Sequence, residues 1–360
     1  MTISLVKDIN PGSGDSNVFG GSSVEVIELG GYMYFSADDG SNGSELWRSD
    51  GTESGTTLIK DINSGSDDSY AKYFEVMGSN IYFSAYTSSN GHELWKTDGT
   101  ESGTTLIKDI RSGSNSGIPF YMTDLGNGNI VFRATDGTNG YELWKSDGTE
   151  SGTTMVKDIN TGGNSLNSGA NFTDGMNIRD SFLIDSGTVY FPATNGSNGY
   201  ELWKSDGTES GTTMVKDISS GSSSSDTSYY YLWNDKIYFR GWDGSSGKEL
   251  WVSDGTESGT IMLKDISSST WPGGYPAYFI EFNSSLYFYA QDTSNGYELW
   301  KTDGTESGTT LVKDIQSGTS SSNPMNFVVV GSELFFTADD GTNGYELWKT
   351  DGTESGTTLV

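Results

Sequence analysis

A seven-fold internal repeat constrains the fold of this chain more than any other feature. In each copy Glu-Leu-Trp is followed, three residues after the tryptophan, by Asp-Gly-Thr-Glu-Ser-Gly-Thr. The copies are centred on Trp47, Trp95, Trp144, Trp203, Trp251, Trp300 and Trp348, with spacings of 48, 49, 59, 48, 49 and 48 residues. A period near 50 built from strand-like segments is typical of β-propeller blades. We therefore predict one all-β domain over residues 1–360, a seven-bladed β-propeller of four-stranded antiparallel blades.

Each repeat contains four strand-like segments, called a to d from the innermost outward. In the second copy they cover residues 73–77, 81–85, 93–97 and 105–110. Antiparallel order places the b–c turns and d–a connections at one end of the blade, and the a–b and c–d turns at the other. The c–d turn is identical in all copies, and its Gly, Asp and Thr residues are those that form and cap tight turns. We predict a structural role for this turn.

Two further residue types recur in every repeat. The tryptophan lies in mid-strand, so we predict that it is buried between adjacent blades. The Glu of Glu-Leu-Trp and the Lys of the Lys-Asp-Ile that ends strand d lie on neighbouring strands. We expect them to form a cross-strand ion pair.

The two chain ends bear on how the ring closes. The last repeat stops at Val360 without Lys-Asp-Ile, whereas residues 4–9 read Ser-Leu-Val-Lys-Asp-Ile. We predict that residues 5–9 pair with residues 346–350 as the outer strand of the seventh blade, which closes the ring and removes a free edge. Residues 358–360 have the same register as residues 4–6, so the alternative that they complete the last blade stays open.

Composition restricts the partners. A net charge of −29 argues against nucleic acid and anionic lipid. It is compatible with divalent cations, basic surfaces and neutral polymers such as glycans, or with solubility alone. The chain has no cysteine, which excludes disulfides and thiolate sites. The sequence has no apolar run of 18 residues, so we expect no membrane insertion. Its first residues read as repeat sequence rather than as a signal peptide. We also expect a monomer.

The b–c loops carry oxygen-bearing side chains at a regular spacing. Carboxylate and amide oxygens on a short loop are what Ca²⁺ prefers, whereas Asp-Gly and Asn-Gly are also ordinary turn formers. Supporting Ca²⁺ sites and turn chemistry alone both remain open. The candidate metal ligands are Asp39, Asn42, Asp136, Asn139, Asp243, Asp292, Asn295, Asp340 and Asn343.

Aromatic residues at the same end of the blades are the candidate ligand-binding residues. Rings beside Asp, Asn and Ser on an open face suit sugar rings, although they also pack beneath loops. The candidates are Phe120, Tyr229, Trp242, Trp271 and Tyr275. The sequence has few residue patterns that are suited to catalysis. We interpret the one histidine, His92, as a solvated loop residue. No Gly-x-Ser-x-Gly motif and no phosphate-binding glycine loop occurs. We predict no catalytic residue and no enzyme.

The string Glu-Leu-Trp-x-x-Asp-Gly-Thr, continued by Gly-Thr and Val/Ile-Lys-Asp-Ile, resembles the bacterial family named for its ELW-x-x-DGT repeat. The resemblance covers essentially the whole chain. It implies a β-propeller and a secreted or cell-surface location, and it supplies no catalytic residue. A fainter likeness to quinoprotein propellers rests on Leu-Trp followed by Asp and Gly. Those enzymes typically have eight blades, and the methanol-type members have adjacent cysteines, which are absent here.

Together these features predict a non-enzymatic extracellular binding or adhesion module. Its ligand, a glycan or a protein, is expected on the face formed by the b–c and d–a loops. The alternatives are a structural spacer in a repeat-rich surface protein and, less favoured, an enzyme that acts on polysaccharide or depends on a quinone.

Overall fold

The computed structural model describes residues 4–18, 25–166, 182–268 and 273–360. Over these residues the chain forms seven four-stranded antiparallel sheets and no helix. In each sheet the strands are hydrogen-bonded in chain order, a to d. The predicted all-β fold of seven four-stranded blades is confirmed. In the described ranges, no helix is long and apolar enough to cross a membrane.

The described residues group into two compact units. The first takes in Met1–Asn171, Ser186–Val189 and Ser205–Thr212, and the second Phe172–Asp185, Tyr190–Lys204 and Thr213–Val360. Sheets 1 to 3 belong to the first unit, and sheets 5 to 7 with most of sheet 4 belong to the second.

The strands of the first three sheets have similar bounds. Sheet 1 contains β1 (Ile27–Leu29), β2 (Tyr32–Asp38), β3 (Ser44–Ser49) and β4 (Thr57–Lys60). Sheet 2 contains β5 (Lys72–Met77), β6 (Asn80–Thr87), β7 (Gly91–Thr97) and β8 (Thr105–Lys108). Sheet 3 contains β9 (Phe120–Asp124), β10 (Ile130–Thr135), β11 (Tyr141–Ser146) and β12 (Thr154–Lys157).

The remaining sheets repeat this pattern. Sheet 4 contains β13 (Leu183–Asp185), β14 (Thr188–Ala193), β15 (Glu201–Ser205) and β16 (Thr213–Lys216). Sheet 5 contains β17 (Ser228–Trp233), β18 (Lys236–Trp242), β19 (Lys248–Ser253) and β20 (Ile261–Lys264). Sheet 6 contains β21 (Ala277–Phe282), β22 (Ser285–Asp292), β23 (Gly296–Thr302) and β24 (Thr310–Lys313). Sheet 7 contains β25 (Met325–Val330), β26 (Glu333–Asp339), β27 (Tyr345–Thr350) and β28 (Thr358–Leu359).

Within each unit, hydrophobic contacts between successive sheets form the core. Trp95 of sheet 2 packs in one cluster with Leu46, Ile59 and Ile62 of sheet 1 and its C-terminal connection. Trp300 of sheet 6 occupies the same place in the cluster that sheets 5 and 6 share. All seven repeat tryptophans are at most 8% exposed, so their predicted burial is confirmed.

The c–d turn is held by its own side chains. In sheet 2, Asp98 Oδ1 accepts hydrogen bonds from the backbone N–H and the hydroxyl of Thr100, at 2.9 and 2.7 Å. The N–H of Gly103 donates to Thr100 Oγ1 at 3.0 Å, and Thr104 Oγ1 donates to the Thr100 carbonyl at 2.7 Å. These bonds recur in the other copies, which confirms the structural role predicted for the turn.

The predicted ion pair between the repeat Glu and Lys is wrong. Glu93 is fully buried and accepts N–H bonds from Ile110 at 2.8 Å and Gly117 at 2.6 Å. Its carboxylate therefore joins strand c to the segment that follows strand d. Lys108 extends instead to the next sheet, where its Nζ donates to the carbonyl of Thr153 at 2.8 Å. The sequence pattern places the repeat Glu and Lys on neighbouring strands. It does not show that each side chain binds backbone groups instead of the other.

The outer strand of sheet 7 is β28. Its residues Thr358 and Leu359 pair with Lys349 and Trp348, so the predicted pairing of residues 5–9 with residues 346–350 is wrong, and the alternative left open is the one observed. Strand β28 is joined to β27 by one short turn. A short turn is entropically cheaper to close than a loop of several hundred residues.

The N-terminal segment packs on sheet 1 instead. Leu5 is 79% exposed, whereas Lys7 Nζ donates to the carbonyl of Thr56 at 2.7 Å. Ile9 packs against the cluster of Phe35, Ala37 and Trp47. Lys7 and Ile9 thus make the contacts that the Lys and Ile of Lys-Asp-Ile make at the end of strand d in other repeats, but residues 4–9 do not form a strand.

Sheet 7 also leaves one face uncovered. Leu347 is 47% exposed, whereas the equivalent leucine of every other sheet is fully buried. Glu346 is exposed as well, although its counterparts are buried.

Candidate functional site

The second unit contains a cavity of about 470 Å³ among sheets 5, 6 and 7. Its size falls in the range of roughly 300–1,000 Å³ typical of small-molecule sites. The lining lies at the end of the sheets where strands a and c begin and strand b ends. The lining residues are Tyr229, Arg240, Tyr275, Ala277, Tyr278, Tyr289, Tyr297, Asn323, Met325 and Tyr345.

Tyrosine rings dominate the cavity and contact one another. Tyr289 and Tyr297 lie nearly parallel, with ring centroids 4.6 Å apart. Tyr278 meets Tyr289 edge-on at 5.8 Å and Tyr229 edge-on at 5.6 Å. Such offset and edge-on pairs are the favoured arrangements of aromatic rings. The cavity therefore has a pre-formed aromatic wall that carries phenolic hydroxyls.

Backbone bulges place two of these rings. Strand a of sheet 5 shifts register between Ser228 and Tyr231, and strand a of sheet 6 shifts between Ala277 and Ile280. The bulged residues Tyr229 and Tyr278 have φ angles of 57° and 59°. A tyrosine in this left-handed region costs on the order of 1–3 kcal/mol, and bulges of this kind re-aim side chains next to functional sites.

Arg240 is the cation of the cavity. It lies on β18 opposite Leu250 and is only 4% exposed, and its Nε donates to Ser228 Oγ at 3.1 Å. Its guanidinium carbon lies 4.6 Å from the ring centroid of Tyr229 and 5.1 Å from that of Tyr275. Two aromatic faces thus hold the planar guanidinium in a fixed orientation.

A second cation, Lys248, lies close to the Tyr275 ring. Lys248 Nζ is 5.6 Å from the Tyr275 ring and 3.2 Å from Asp226 Oδ2. This positive charge is therefore compensated by a carboxylate outside the cavity lining.

The hydroxyls of Tyr289 and Tyr297 are held in their protonated form. Burial, together with the neighbouring tyrosines, raises the pKa of Tyr289, and burial with Tyr275 raises the pKa of Tyr297. Both hydroxyls can therefore donate and accept hydrogen bonds at neutral pH. That chemistry suits the recognition of polar ligands.

The structure separates the five aromatic residues that the sequence offered as ligand-binding candidates. Tyr229 and Tyr275 both line the cavity. Trp242 ends β18, half-buried and outside the cavity lining, and Phe120 lies in the first unit. Trp271 lies outside the described residues.

Phe120 belongs to a cluster in the first unit that resembles the arrangement of Arg240 beside Tyr229 and Tyr275 in the cavity. Arg133, 2% exposed, lies on β10 opposite Leu143, as Arg240 lies opposite Leu250. Its guanidinium carbon is 5.0 Å from the Phe120 ring and 4.3 Å from the Tyr141 ring. The same strand position therefore places an arginine among aromatic rings in each unit.

Sequence reasoning missed Arg240 and Arg133. Each follows a phenylalanine of strand b, at the position where Ser36, Ser84 and Thr337 stand in other sheets. The chain has five arginines, and two of them occupy this position. A departure from a near-identical repeat was thus the available signal.

The Asp–Asn loops form hydrogen-bonded turns. Asp39 Oδ1 accepts the N–H groups of Ser41 and Asn42, both at 2.9 Å, and Oδ2 accepts Asn42 Nδ2 at 2.8 Å. Burial raises the pKa of Asp39, but the hydrogen bonds from Asn42 and Ser41 outweigh it and hold that pKa below its ordinary value.

The same turn recurs in the other candidate loops. Each aspartate accepts hydrogen bonds from the N–H groups of the residues two and three positions later. Where an asparagine is present, its side chain donates to the same carboxylate. The loops with this turn are those of Asp136 with Asn139, Asp243, Asp292 with Asn295, and Asp340 with Asn343. In sheet 4, Asn195 Oδ1 accepts the equivalent bonds from Ser197 and Asn198. An uncharged amide oxygen performs the same task, which favours turn chemistry.

Within the described ranges, no group of three or more His, Asp or Glu side chains is placed to hold a metal ion. Calcium support of the Asp–Asn loops stays a prediction. The interpretation of His92 as a solvated loop residue is wrong. His92 lies in strand β7 and pairs with Tyr86 of β6. Its side chain is half-buried beside the rings of Tyr86 and Tyr70. Burial lowers the pKa of His92 to about 4.

No protein-family model matches the sequence, and the search of curated proteins found no similar one. Among solved structures, the chain is similar to the computationally designed Ika8 protein, with 11% identity, a TM-score of 0.46, and coverage of 92% of this chain and 84% of that one.

Two enzymes also share structural similarity with the chain. One structure, from a study of two prolyl endopeptidases, gives 10% identity and a TM-score of 0.47, covering 93% of this chain and 49% of that one. A puromycin hydrolase gives 13% identity and a TM-score of 0.41, covering 92% and 53%. The chain therefore spans about half the length of these two enzymes.

Proposed function

We propose that the chain is a non-enzymatic, extracellular carbohydrate-binding module whose site is the tyrosine-lined cavity of the second unit. The observation that carries this proposal is the wall of mutually packed tyrosines around a cavity of about 470 Å³. Sugar rings present apolar C–H faces and many hydroxyls. Tyrosine offers an apolar ring and a hydroxyl in one side chain, so it complements both features.

The chemistry of the lining supports binding rather than catalysis. The described lining residues contain tyrosines, one arginine, one asparagine and two apolar residues. The raised pKa of Tyr289 and Tyr297 keeps their hydroxyls protonated, which favours hydrogen bonding over proton abstraction. The extracellular location follows from the ELW-x-x-DGT resemblance and is part of the proposal.

Substitution of Tyr345 provides the test. This residue lines the cavity and is 55% exposed, so Tyr345→Ser removes a ring without emptying the core. Sheet 1 has Ser44 at the same strand position. Loss of one aromatic contact worth about 0.5–1.5 kcal/mol weakens binding roughly two- to twelve-fold. A glycan array first identifies oligosaccharides that bind the chain. Calorimetric titration with these oligosaccharides then measures the change in affinity.

Tyr200→Ser is the matched control, because Tyr200 holds the same position in sheet 4 and is absent from the cavity lining. We expect it to bind as the unmodified chain does. If no saccharide binds, or if both variants lose the same affinity, the proposal fails and the structural-spacer alternative gains support.

A further inference from the structure

Sheet 7 has an exposed apolar face whose equivalent in sheet 6 is covered. Val328, Val330 and Leu347 lie on this face, which we call the trailing face of sheet 7. Val330 is 58% and Leu347 is 47% exposed, whereas Phe282 and Leu299, at the same positions of sheet 6, are 3% and 0% exposed. Exposed apolar surface of this kind marks an interaction site when its residues are contiguous.

Sheet 1 has an exposed residue on the opposite face. Met33 of β2 is 40% exposed, whereas Ile81 of sheet 2 and Leu334 of sheet 7, at the same strand position, are fully buried. Strand alternation places Met33 on the same face as Phe35, and Trp47 lies opposite Phe35 on β3. We call this the leading face of sheet 1.

Contacts inside each unit show how a trailing face and a leading face fit together. Phe282 and Leu299 on the trailing face of sheet 6 pack in one cluster with Leu334 on the leading face of sheet 7. In the first unit, Leu46 of sheet 1 packs in the same way with Ile81 of sheet 2. The trailing face of sheet 7 and the leading face of sheet 1 are thus the two halves of a contact that the chain already makes between successive sheets.

A polar contact accompanies this packing. Lys301 of sheet 6 extends to sheet 7, where its Nζ donates to the carbonyl of Gly352 in the c–d turn at 2.8 Å. Lys349 has the same position in sheet 7, but its Nζ lies 2.7 Å from Glu333 of its own sheet, and both side chains are 36% exposed. An ion pair this exposed contributes little to stability. Gly51 is the equivalent turn glycine of sheet 1 and offers the carbonyl for Lys349.

We propose that the trailing face of sheet 7 binds the leading face of sheet 1 of a second copy of this chain, so that copies join head to tail. The contact uses two different surfaces, so each added copy presents a new trailing face and assembly continues unless a ring closes. Linked copies present the tyrosine-lined cavity repeatedly, which raises the avidity for a polymeric ligand.

This inference goes beyond the proposed function, because the assembly does not require a ligand in the cavity. It is also the opposite of the monomer expected from the sequence, and one measurement of molecular mass decides between them.

The charge of the chain predicts how salt affects the assembly. Each copy carries a net charge of −29, so two copies repel one another. Added salt screens this repulsion, whereas the apolar contact between the two faces does not depend on charge. We therefore expect association to strengthen as NaCl is added, the reverse of an interface held by ion pairs.

Sedimentation velocity of the full chain provides the first test. We expect the average mass to rise from one chain towards two and more over about 1–100 µM, a range typical of micromolar affinity. The rise is expected to be larger in about 0.5 M NaCl than in about 0.05 M NaCl. The mass of a single chain at every concentration and salt level overturns the proposal.

Variants then assign the contact to the two faces. Leu347→Lys places a charge on the trailing face, and Met33→Lys places one on the leading face. Each variant alone is expected to stay a single chain. An equimolar mixture is expected to form pairs and no larger species, because only one intact trailing face then meets one intact leading face. Thermal melts in dilute solution establish that each variant is folded.

Ile261→Lys is the matched control. Ile261 is 49% exposed on strand β20 and belongs to neither face. We expect this variant to assemble as the unmodified chain does. Assembly that persists in Leu347→Lys or Met33→Lys, a mixture that forms no pairs, or equal loss of assembly in Ile261→Lys overturns the head-to-tail contact.

Discussion

At the residue scale, the c–d turn is specified by steric fit as well as by hydrogen bonds. The second glycine of each turn packs directly against the aspartate that begins it, and a Cβ atom on Gly103 would overlap the Asp98 carboxylate. The same overlap recurs at the equivalent glycine in every copy. Aspartate, threonine and glycine in this turn are therefore interdependent.

Replacement of this glycine is predicted to destabilise the fold. Gly103→Ala displaces the Asp98 carboxylate and weakens its two bonds to Thr100, each worth about 0.5–1.5 kcal/mol. We expect the free energy of unfolding to fall by about 1–3 kcal/mol in a chemical denaturation curve. Ser102→Ala, an exposed change in the same turn, is expected to stay within about 0.5 kcal/mol. Equal effects of the two variants would contradict the steric explanation.

Individual residues were predictable where chemistry is local. The roles of Asp98 and Thr100 follow from the sequence because their partners lie within a few positions. The role of Glu93 did not, since its amide partners Ile110 and Gly117 lie 17 and 24 residues away. Only the pairing of strands brings them together.

At the element scale, the N-terminal segment and β28 have the same repeat register but different environments. Strand β28 pairs with β27, whereas the N-terminal segment contacts sheet 1 through Lys7 and Ile9. Leu5 corresponds in register to Leu359, yet it is the most exposed large hydrophobic residue described. Its contribution to stability should therefore differ from that of Ile9.

Two alanine substitutions test this arrangement. Ile9→Ala removes a half-buried side chain from the Phe35 and Trp47 cluster, and we expect a loss of about 1–2 kcal/mol. Leu5→Ala is expected to change the free energy of unfolding by less than about 0.5 kcal/mol. A large loss for Leu5→Ala would instead favour pairing of the N-terminal segment with the last sheet.

The candidate site was less predictable than the strands. Alternating residues and turn glycines mark strands b and c, but the bulges of strand a depend on tertiary packing. Tyr229 and Tyr278 have the positive φ angles that sequence patterns associate with Gly or Asn. The convergence of three sheets on one cavity also depends on packing, so Tyr289 and Tyr297 were not identified beforehand.

At the scale of the whole molecule, the repeat explains both the predictability of the fold and its electrostatics. One period predicted seven sheets because each copy forms the same four strands. The same period places one buried glutamate in each of sheets 1 to 6, all fully buried: Glu45, Glu93, Glu142, Glu201, Glu249 and Glu298. The electrostatic effect of one buried glutamate is therefore repeated in six sheets.

These glutamates predict a dependence of stability on pH. Burial, partly offset by amide hydrogen bonds, raises the pKa of each to about 7, and that of Glu93 to about 8, from an ordinary value of 4.5. Between these values the folded state binds more protons than the unfolded state, so the free energy of unfolding falls as pH rises from about 4.5 to 8. We expect the melting temperature to be about 5 °C or more lower at pH 8 than at pH 5.5.

Surface repulsion among the excess carboxylates has the same sign, so the measurement needs two controls. The scan is repeated in about 0.5 M NaCl, which shortens the screening length below about 8 Å and suppresses surface repulsion more than the effect of buried groups. Glu298→Gln is expected to reduce the pH slope, whereas Glu346→Gln, at the exposed counterpart in sheet 7, leaves it unchanged. If high salt abolishes the slope, or both variants alter it equally, surface repulsion rather than the buried glutamates sets the pH dependence.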